Sequence, residues 1–238
     1  MVRVLVTRPE PGASRTMRRL EDQGFQPVLL PLTETVALPV DADAVADNAA
    51  AVAVTSANAV RHAPKEIIAA LAALPCHAVG KRTAEAARAA GFPSVSEGLG
   101  DAEALADALA GGFAAGTVVY LCGRVRFPAF EARLKAACIH VRAIETYDTV
   151  APGYSDAAIL ARLSGQPVEA VLLYSAKAAA AMQALTERPA LCALFENTCF
   201  FALSGRIAAA LGDVADKEIR IAPEPSEDAL LELLQVRR

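Results

Sequence analysis

The stretch Ala51-Val52-Ala53-Val54-Thr55-Ser56-Ala57-Asn58-Ala59-Val60 decides the fold. Four small or β-branched apolar residues run straight into Thr-Ser-Ala-Asn and then an alanine-rich helical pattern. That is the grammar of a buried parallel strand delivering polar groups to a helix N-terminus. Ala170-Val171-Leu172-Leu173-Tyr174-Ser175-Ala176-Lys177-Ala178-Ala179 repeats it further along the chain. Two such corners predict an internal duplication with a site between its halves.

Outward from these corners the alternation of strand and helix continues. Strands are expected at about residues 2–7, 25–30, 52–55, 76–79, 92–95, 117–121, 139–150, 169–174, 199–203 and 218–221. Helices are expected at about 13–23, 56–74 with an interruption near Pro64, 84–90, 101–110, 127–136, 155–163, 176–185, 206–211 and 226–234. In the 127–136 helix, Phe127, Phe130 and Leu134 share a core-facing stripe. This pattern predicts an α/β protein with open parallel sheets covered by helices on both faces, the three-layer flavodoxin-like arrangement.

The duplication can be laid out residue by residue. Val4-Leu5, Leu20, Thr33, Thr35 and Val36 stand 114 positions before Val118-Val119, Leu134, Tyr147, Thr149 and Val150. Ala51 and Ser56 stand 119 before Ala170 and Ser175, Ala78-Val79 stand 124 before Ala202-Leu203, and Ala104-Leu105 stand 125 before Ala229-Leu230. Offsets that drift upward in order are what small loop insertions leave behind. Two half-polar extended tails, residues 32–36 and 145–150, suit a paired crossing between domains. The expected division is therefore residues 1–35 with 149–238 as a discontinuous first domain and 36–148 as an inserted second one. Connector segments fall at about 32–38 and 145–151, with the active-site cleft between the domains.

Composition narrows the function classes. The 238 residues are 54% hydrophobic but only 5% aromatic, and no run approaches the ~18 apolar residues a membrane span requires. The N-terminal residues read as a strand, with no secretory signal, so the expected location is the cytoplasm. A formal charge of −4 argues against a general nucleic-acid surface while permitting a local basic cleft for an acidic small molecule. Cys76, Cys122, Cys138, Cys192 and Cys199 contain no CxxC, stand mostly in apolar surroundings and read as reduced core thiols; His62, His77 and His140 are too scattered to propose a zinc site. The dinucleotide, P-loop, serine-hydrolase and zinc-protease signatures are all missing.

What remains is a set of strand C-termini carrying small polar groups: Thr7-Arg8, Thr55-Ser56-Ala57-Asn58, Gly80-Lys81-Arg82-Thr83, Cys122-Gly123-Arg124, Tyr174-Ser175 and Ser204-Gly205-Arg206. In an open parallel sheet these lie on one edge, where hydroxyls, helix N–H groups and guanidinium forks meet oxyanions. Ser56 and Ser175 can equally serve as helix caps, which leaves the adjoining amides free for a ligand. Tyr147, in the return crossing, can be a core tyrosine with a satisfied hydroxyl or a phenol reaching the cleft to donate to a leaving oxygen.

The order of these corners resembles the uroporphyrinogen-III synthase family. The likeness is carried by Val4-Leu5-Val6-Thr7-Arg8-Pro9, Pro31, Val54-Thr55-Ser56-Ala57-Asn58-Ala59-Val60, Ala78-Val79-Gly80-Lys81-Arg82-Thr83-Ala84 with Gly91-Phe92, Gly123-Arg124, Glu145-Thr146-Tyr147-Asp148-Thr149, and Ile221-Ala222-Pro223-Glu224-Pro225-Ser226 before Ala229-Leu230. It implies a monomeric cytosolic lyase that closes linear hydroxymethylbilane to uroporphyrinogen III, inverting ring D and losing water, without a metal or organic cofactor. It further implies Tyr147 as the catalytic residue, with Arg8, Thr55, Ser56, Asn58, Lys81, Thr83, Arg124, Ser175, Ser204 and Arg206 binding substrate. The expected partners are that small molecule and, transiently, the upstream hydroxymethylbilane synthase, with no nucleic acid and no membrane. Two departures stand out: Tyr174-Ser175 replaces the usual Thr-Ser, and Ile207 stands where a hydroxyl is usual. The competing readings are a two-domain α/β sensor that closes on an organic polyacid without changing it, and a flavodoxin-like or sugar-nucleotide enzyme.

Overall fold

The computed structural model describes residues 1–45, 47–112, 116–126, 128–212 and 217–235. In chain order the elements are β1 (Arg3–Val6), α1 (Gly12–Asp22), β2 (Gln26–Leu29), β3 (Glu34–Ala37), β4 (Ala49–Val54), α2 (Ala57–Arg61), α3 (Lys65–Leu71), β5 (Cys76–Ala78), α4 (Lys81–Ala90), β6 (Val95–Glu97), α5 (Ala102–Gly112) and β7 (Thr117–Gly123). There follow α6 (Ala129–Ala136), β8 (His140–Val150), α7 (Asp156–Arg162), β9 (Ala170–Leu173), α8 (Ala176–Thr186), β10 (Cys199–Ala202), α9 (Gly205–Ala210), β11 (Ile219–Ile221) and α10 (Glu227–Gln235). The chain divides into two compact units: unit 1 is Met1–Glu34 with Val150–Arg238, and unit 2 is Thr35–Thr149.

Unit 1 holds a parallel sheet in the order β2-β1-β9-β10-β11. Its strands are apolar on both faces because both are covered. Leu5, Val171, Leu173, Phe200 and Ala202 point to one side and pack with Ile159, Met182 and Ile207 from α7, α8 and α9. Val4, Val6, Ala170, Leu172 and Phe201 point to the other, against Leu20 of α1 and Leu230 and Leu234 of α10.

Unit 2 repeats the arrangement as β8-β7-β4-β5-β6, with β3 added beside β8. The pairs from β8 to β6 are parallel. Val52, Val54, Val119 and Leu121 face α2, α3 and α4, whereas Ala53, Val118, Tyr120 and Cys122 face α5 and α6. This alternation is the period of two that Val-Ala-Val-Thr implies in the sequence.

Local differences from the sequence reading have local causes. The interruption expected near Pro64 does fall there and separates α2 from α3, because Pro64 carries no N–H and forms the N-cap of α3. The strand expected at 92–95 begins at Val95, since Gly91 closes α4 in the left-handed region at φ 116° and the buried Phe92 packs under it. Phe130 and Leu134 are core, as the stripe predicts, while Phe127 lies outside the described residues. Cys76, Cys122 and Cys199 are buried thiols, but Cys138 and Cys192 are exposed.

Candidate active site at the strand ends of unit 2

The C-terminal end of β4 places Thr55 and Ser56 side by side, and each hydroxyl meets a phenol. Thr55 Oγ1 lies 2.7 Å from the Tyr120 hydroxyl, and Tyr147 donates to Ser56 Oγ at 3.1 Å. Ser56 also caps α2 by accepting from the Asn58 backbone N–H at 3.2 Å. With two donors on its lone pairs, the Ser56 oxygen keeps its own proton to give to a ligand.

Tyr147 owes its position to a β-bulge. Cys122 pairs with Glu145 and Gly123 with Tyr147, so Thr146 is the extra residue on β8. Thr146 is buried, and its hydroxyl donates to the Ala59 carbonyl at 2.7 Å, tying β8 to α2. Bulges re-aim side chains in this way. The phenol then lies over Gly123, where a Cβ would fall 2.6 Å from Tyr147 Cζ. The Tyr147 ring is half-buried and inclined to His62, with 6.1 Å between centroids.

A cavity of about 270 Å³ opens here, lined by Thr55, Ser56, Gly100, Tyr120, Gly123 and Tyr147, among others. Tyr120 is almost wholly buried, and burial pushes its pKa up to about 12. It therefore acts as a neutral phenol, held against Phe130 with 4.6 Å between centroids. A neighbouring cavity of about 490 Å³ collects Ser56, Asn58, Arg61, Lys81, Arg82 and Thr83. Gly98 and Gly100 donate to the carbonyls of Ala78 and Val79, and a Cβ on Gly98 would fall 2.9 Å from the Val79 oxygen. That close approach needs glycine. Among the described residues no three His, Cys, Asp or Glu side chains converge into a metal site.

Of the sequence-derived candidates, Thr55, Ser56, Asn58, Lys81, Thr83 and Tyr147 thus come together. Arg124 has its backbone N–H on the Tyr147 carbonyl at 2.9 Å, but its guanidinium lies 3.4 Å from Glu145 and 3.5 Å from Asp148. The other four belong to unit 1. Arg8 is committed to a carboxylate: it bonds Glu227 at 3.0 Å and stacks 4.4 Å from the Tyr174 ring centroid. Tyr174 and Thr16 also donate to Glu227 Oε1, and burial pushes the Tyr174 phenol up to about 12. Ser175 caps α8, accepting from the Ala178 N–H at 3.1 Å. Ser204 leads into α9 without a side-chain cap bond, and Arg206 is exposed. Ile207 is buried in the unit 1 core, which explains the apolar residue there.

Tyr120 and Gly100 were not singled out from sequence. Tyr120 sits inside the apolar run Thr117-Val118-Val119-Tyr120-Leu121, where a tyrosine reads as core. Its one polar atom is the only signal: a buried phenol needs a partner.

Several relatives bear on this geometry. A search of curated proteins finds no match. The crystal structure of uroporphyrinogen-III synthetase from Helicobacter pylori 26695 is similar over 100% of both chains, with TM-score 0.68 and 18% identity. A mutant uroporphyrinogen III synthase from the extremely thermophilic bacterium Thermus thermophilus is similar over 100% of this chain and 98% of that one, with TM-score 0.56 and 19% identity. At these identities the likeness shows a shared fold. Residues 14–232 match the family model described as uroporphyrinogen-III synthase HemD, and the chain belongs to that family of cyclising lyases.

Proposed function

We propose that this chain closes hydroxymethylbilane to uroporphyrinogen III through the strand-end site of unit 2, with Tyr147 assisting loss of the terminal hydroxyl. The observation that carries the assignment of roles is the Tyr147 phenol, held on Ser56 at a cavity edge rather than lost in the core. A substrate hydroxyl entering there takes the phenol's hydrogen bond in place of Ser56. As the C–O bond breaks, the phenol's proton passes to the departing oxygen, which leaves as water. The pyrrole nitrogen's electron pair stabilises the resulting azafulvene-like cation, and the proton that ring D loses on final closure returns to the phenolate.

No protein nucleophile is needed, because the substrate's electron-rich ring D supplies the carbon that attacks. The protein's task is to hold the flexible chain so that attack comes from the substituted carbon, giving the spirocyclic pyrrolenine that inverts the ring. Carboxylate side chains of the substrate meet Ser56, Asn58, Lys81 and Thr83, with Arg61 and Arg82 at the rim of the same cavity. Ser175, Ser204 and Arg206 are the proposed donors of unit 1. Arg8 and Arg124 serve mainly to fix Glu227 and the Glu145/Asp148 edge, since each already faces a carboxylate.

We further propose that the chain acts as a cytoplasmic monomer receiving substrate from hydroxymethylbilane synthase. Among the described residues no helix is long and apolar enough to cross a membrane. The test is isomer analysis of product made from enzymatically generated hydroxymethylbilane. The inverted isomer in excess supports the reading; a folded protein yielding only the uninverted isomer refutes it.

A further inference from the structure

Unit 2 holds a further cavity besides those at the strand ends. It is a groove of about 840 Å³ between α2 and α3 on one side and α4 on the other. Ala63, Ala69, Ala72, Ala86, Ala89 and Ala90 line it, with Val60 and Ile68 adding apolar surface. Short side chains on both walls leave space between the helices. Its size is in the range of cavities that take one drug-sized molecule.

The rim has a definite charge. Arg61, Lys65 and Arg82 line the groove together with a single acid, Glu85. All three cations are exposed, and among the described residues none has a carboxylate partner; Arg61 reaches only the Asn58 side-chain oxygen, at 3.4 Å. Eight arginines elsewhere, Arg8, Arg15, Arg19, Arg124, Arg126, Arg133, Arg188 and Arg220, do lie within 4.0 Å of a carboxylate. In a chain of net charge −4, three unpaired cations around an apolar trough complement an anion with an apolar body.

We propose that this groove is a second binding site, for an amphipathic carboxylate whose apolar body lies along the alanine walls while its charge meets Arg61, Lys65 and Arg82. Arg61 and Arg82 also line the strand-end cavity of about 490 Å³. A carboxylate in the groove draws on the same guanidinium groups, so its binding opposes substrate binding. That coupling rests on reading the strand-end cavity as the substrate site; occupation of the groove does not.

The probe is 8-anilinonaphthalene-1-sulfonate, an apolar ring system with one fixed anionic charge, titrated by fluorescence into the full chain. One molecule should bind per chain. Ala89→Phe, which fills one wall, should raise its Kd at least tenfold, and Lys65→Glu at least threefold, with circular dichroism and the thermal transition intact in both. Both variants should keep their turnover, since neither position lines the strand-end cavities. Displacement of the probe by laurate assigns an acyl-chain carboxylate, and displacement by a porphyrin carboxylate assigns a macrocyclic one. Unchanged probe affinity in both variants, or failure of every carboxylate to displace it, overturns the proposal. With binding established, the probe should raise KM for hydroxymethylbilane and leave kcat unchanged. An unchanged KM refutes the coupling, whereas absence of the inverted product in the wild type would instead refute the functional reading.

Discussion

Gly123→Ala tests the site with one methyl group. The added Cβ would stand 2.6 Å from Tyr147 Cζ, 2.9 Å from its hydroxyl oxygen and 3.0 Å from Cε1. Carbon contacts settle near ~3.5 Å, so the ring must withdraw by roughly 0.9 Å. The bond to Ser56, 3.1 Å long, does not survive such a shift. The phenol is the end of a movable side chain, so the fold should lose only about 1–2 kcal/mol, at the low end for overpacking. Turnover should fall much further, because a displacement of ~1 Å can cost about 100-fold, equivalent to ~2.7 kcal/mol of barrier. The assay is initial-rate formation of the inverted isomer, with a urea melt on the same preparation. Repeating Gly123→Ala in a Tyr147→Phe background closes a double-mutant cycle, in which the methyl should cost little more once the hydroxyl is gone. An unchanged kcat, or an equal loss in both backgrounds, would refute the claim that Gly123 acts through Tyr147.

Tyr147→Phe itself should lower kcat by ten- to a thousandfold with little change in KM or melting temperature, read by steady-state kinetics. Tyr120→Phe should loosen Thr55 and raise KM while also removing an alkaline liability. Burial raises the Tyr120 and Tyr174 phenols from an ordinary 10.0 to about 12, so above pH 10 the unfolded chain releases protons that the folded one retains. Each tyrosine's contribution is therefore fully present below pH 10 and is lost as pH rises through 12, by about 1.4 kcal/mol per tyrosine at pH 11. Urea midpoints from pH 7 to 11 should be level and then fall, less steeply in Tyr120→Phe; a flat profile contradicts the burial argument. Glu227→Ala should destabilise the chain by about 3 kcal/mol, since it strips Arg8, Thr16 and Tyr174 of a shared acceptor. A melting temperature within a degree of wild type would show that the cluster is dispensable.

The fold was legible because its signals are local and periodic. Ala-Val-Ala-Val ahead of Thr-Ser predicts both the strand and the cap, and the structure shows Val52 and Val54 on one face and Ala53 on the other. Pro64 and Gly91 mark real breaks for the same reason. The site was only half legible. Thr55, Ser56 and Asn58 announce themselves at a strand end, but the Tyr120 contact joins residues 65 apart, and Glu227 meets Arg8 across 219 positions. Partners of that separation leave no spacing to read. Arg8 and Arg124 looked like free donors because the sequence lists a charge without the carboxylate that neutralises it.

The sheet orders explain how the two halves came to differ. Unit 1 runs β2-β1-β9-β10-β11 and unit 2 runs β8-β7-β4-β5-β6, so β1 corresponds to β7, β2 to β8, and β9, β10 and β11 to β4, β5 and β6. Apart from the added β3, each unit therefore takes two strands from one half of the sequence and three from the other, in line with the drifting offsets of 114 to 125. Equivalent corners then face equivalent edges of their own sheets, and their chemistry has separated. At Ser175 the preceding residue is Tyr174, whose phenol turns to Glu227 and joins Arg8 in a self-neutralised cluster. At Ser56 the preceding residue is Thr55, small enough to leave a cavity into which Tyr120 and Tyr147 bring their phenols. One corner spends its cation and phenol on the fold, while at the other the hydroxyls of Thr55 and Ser56 and the cations Arg61 and Arg82 line open cavities. Tyr174→Thr would restore the small residue at the unit 1 corner. It should remove the ring stacked on Arg8 but leave the guanidinium on Glu227, so stability falls and citrate does not restore it, which urea melts with and without citrate can measure.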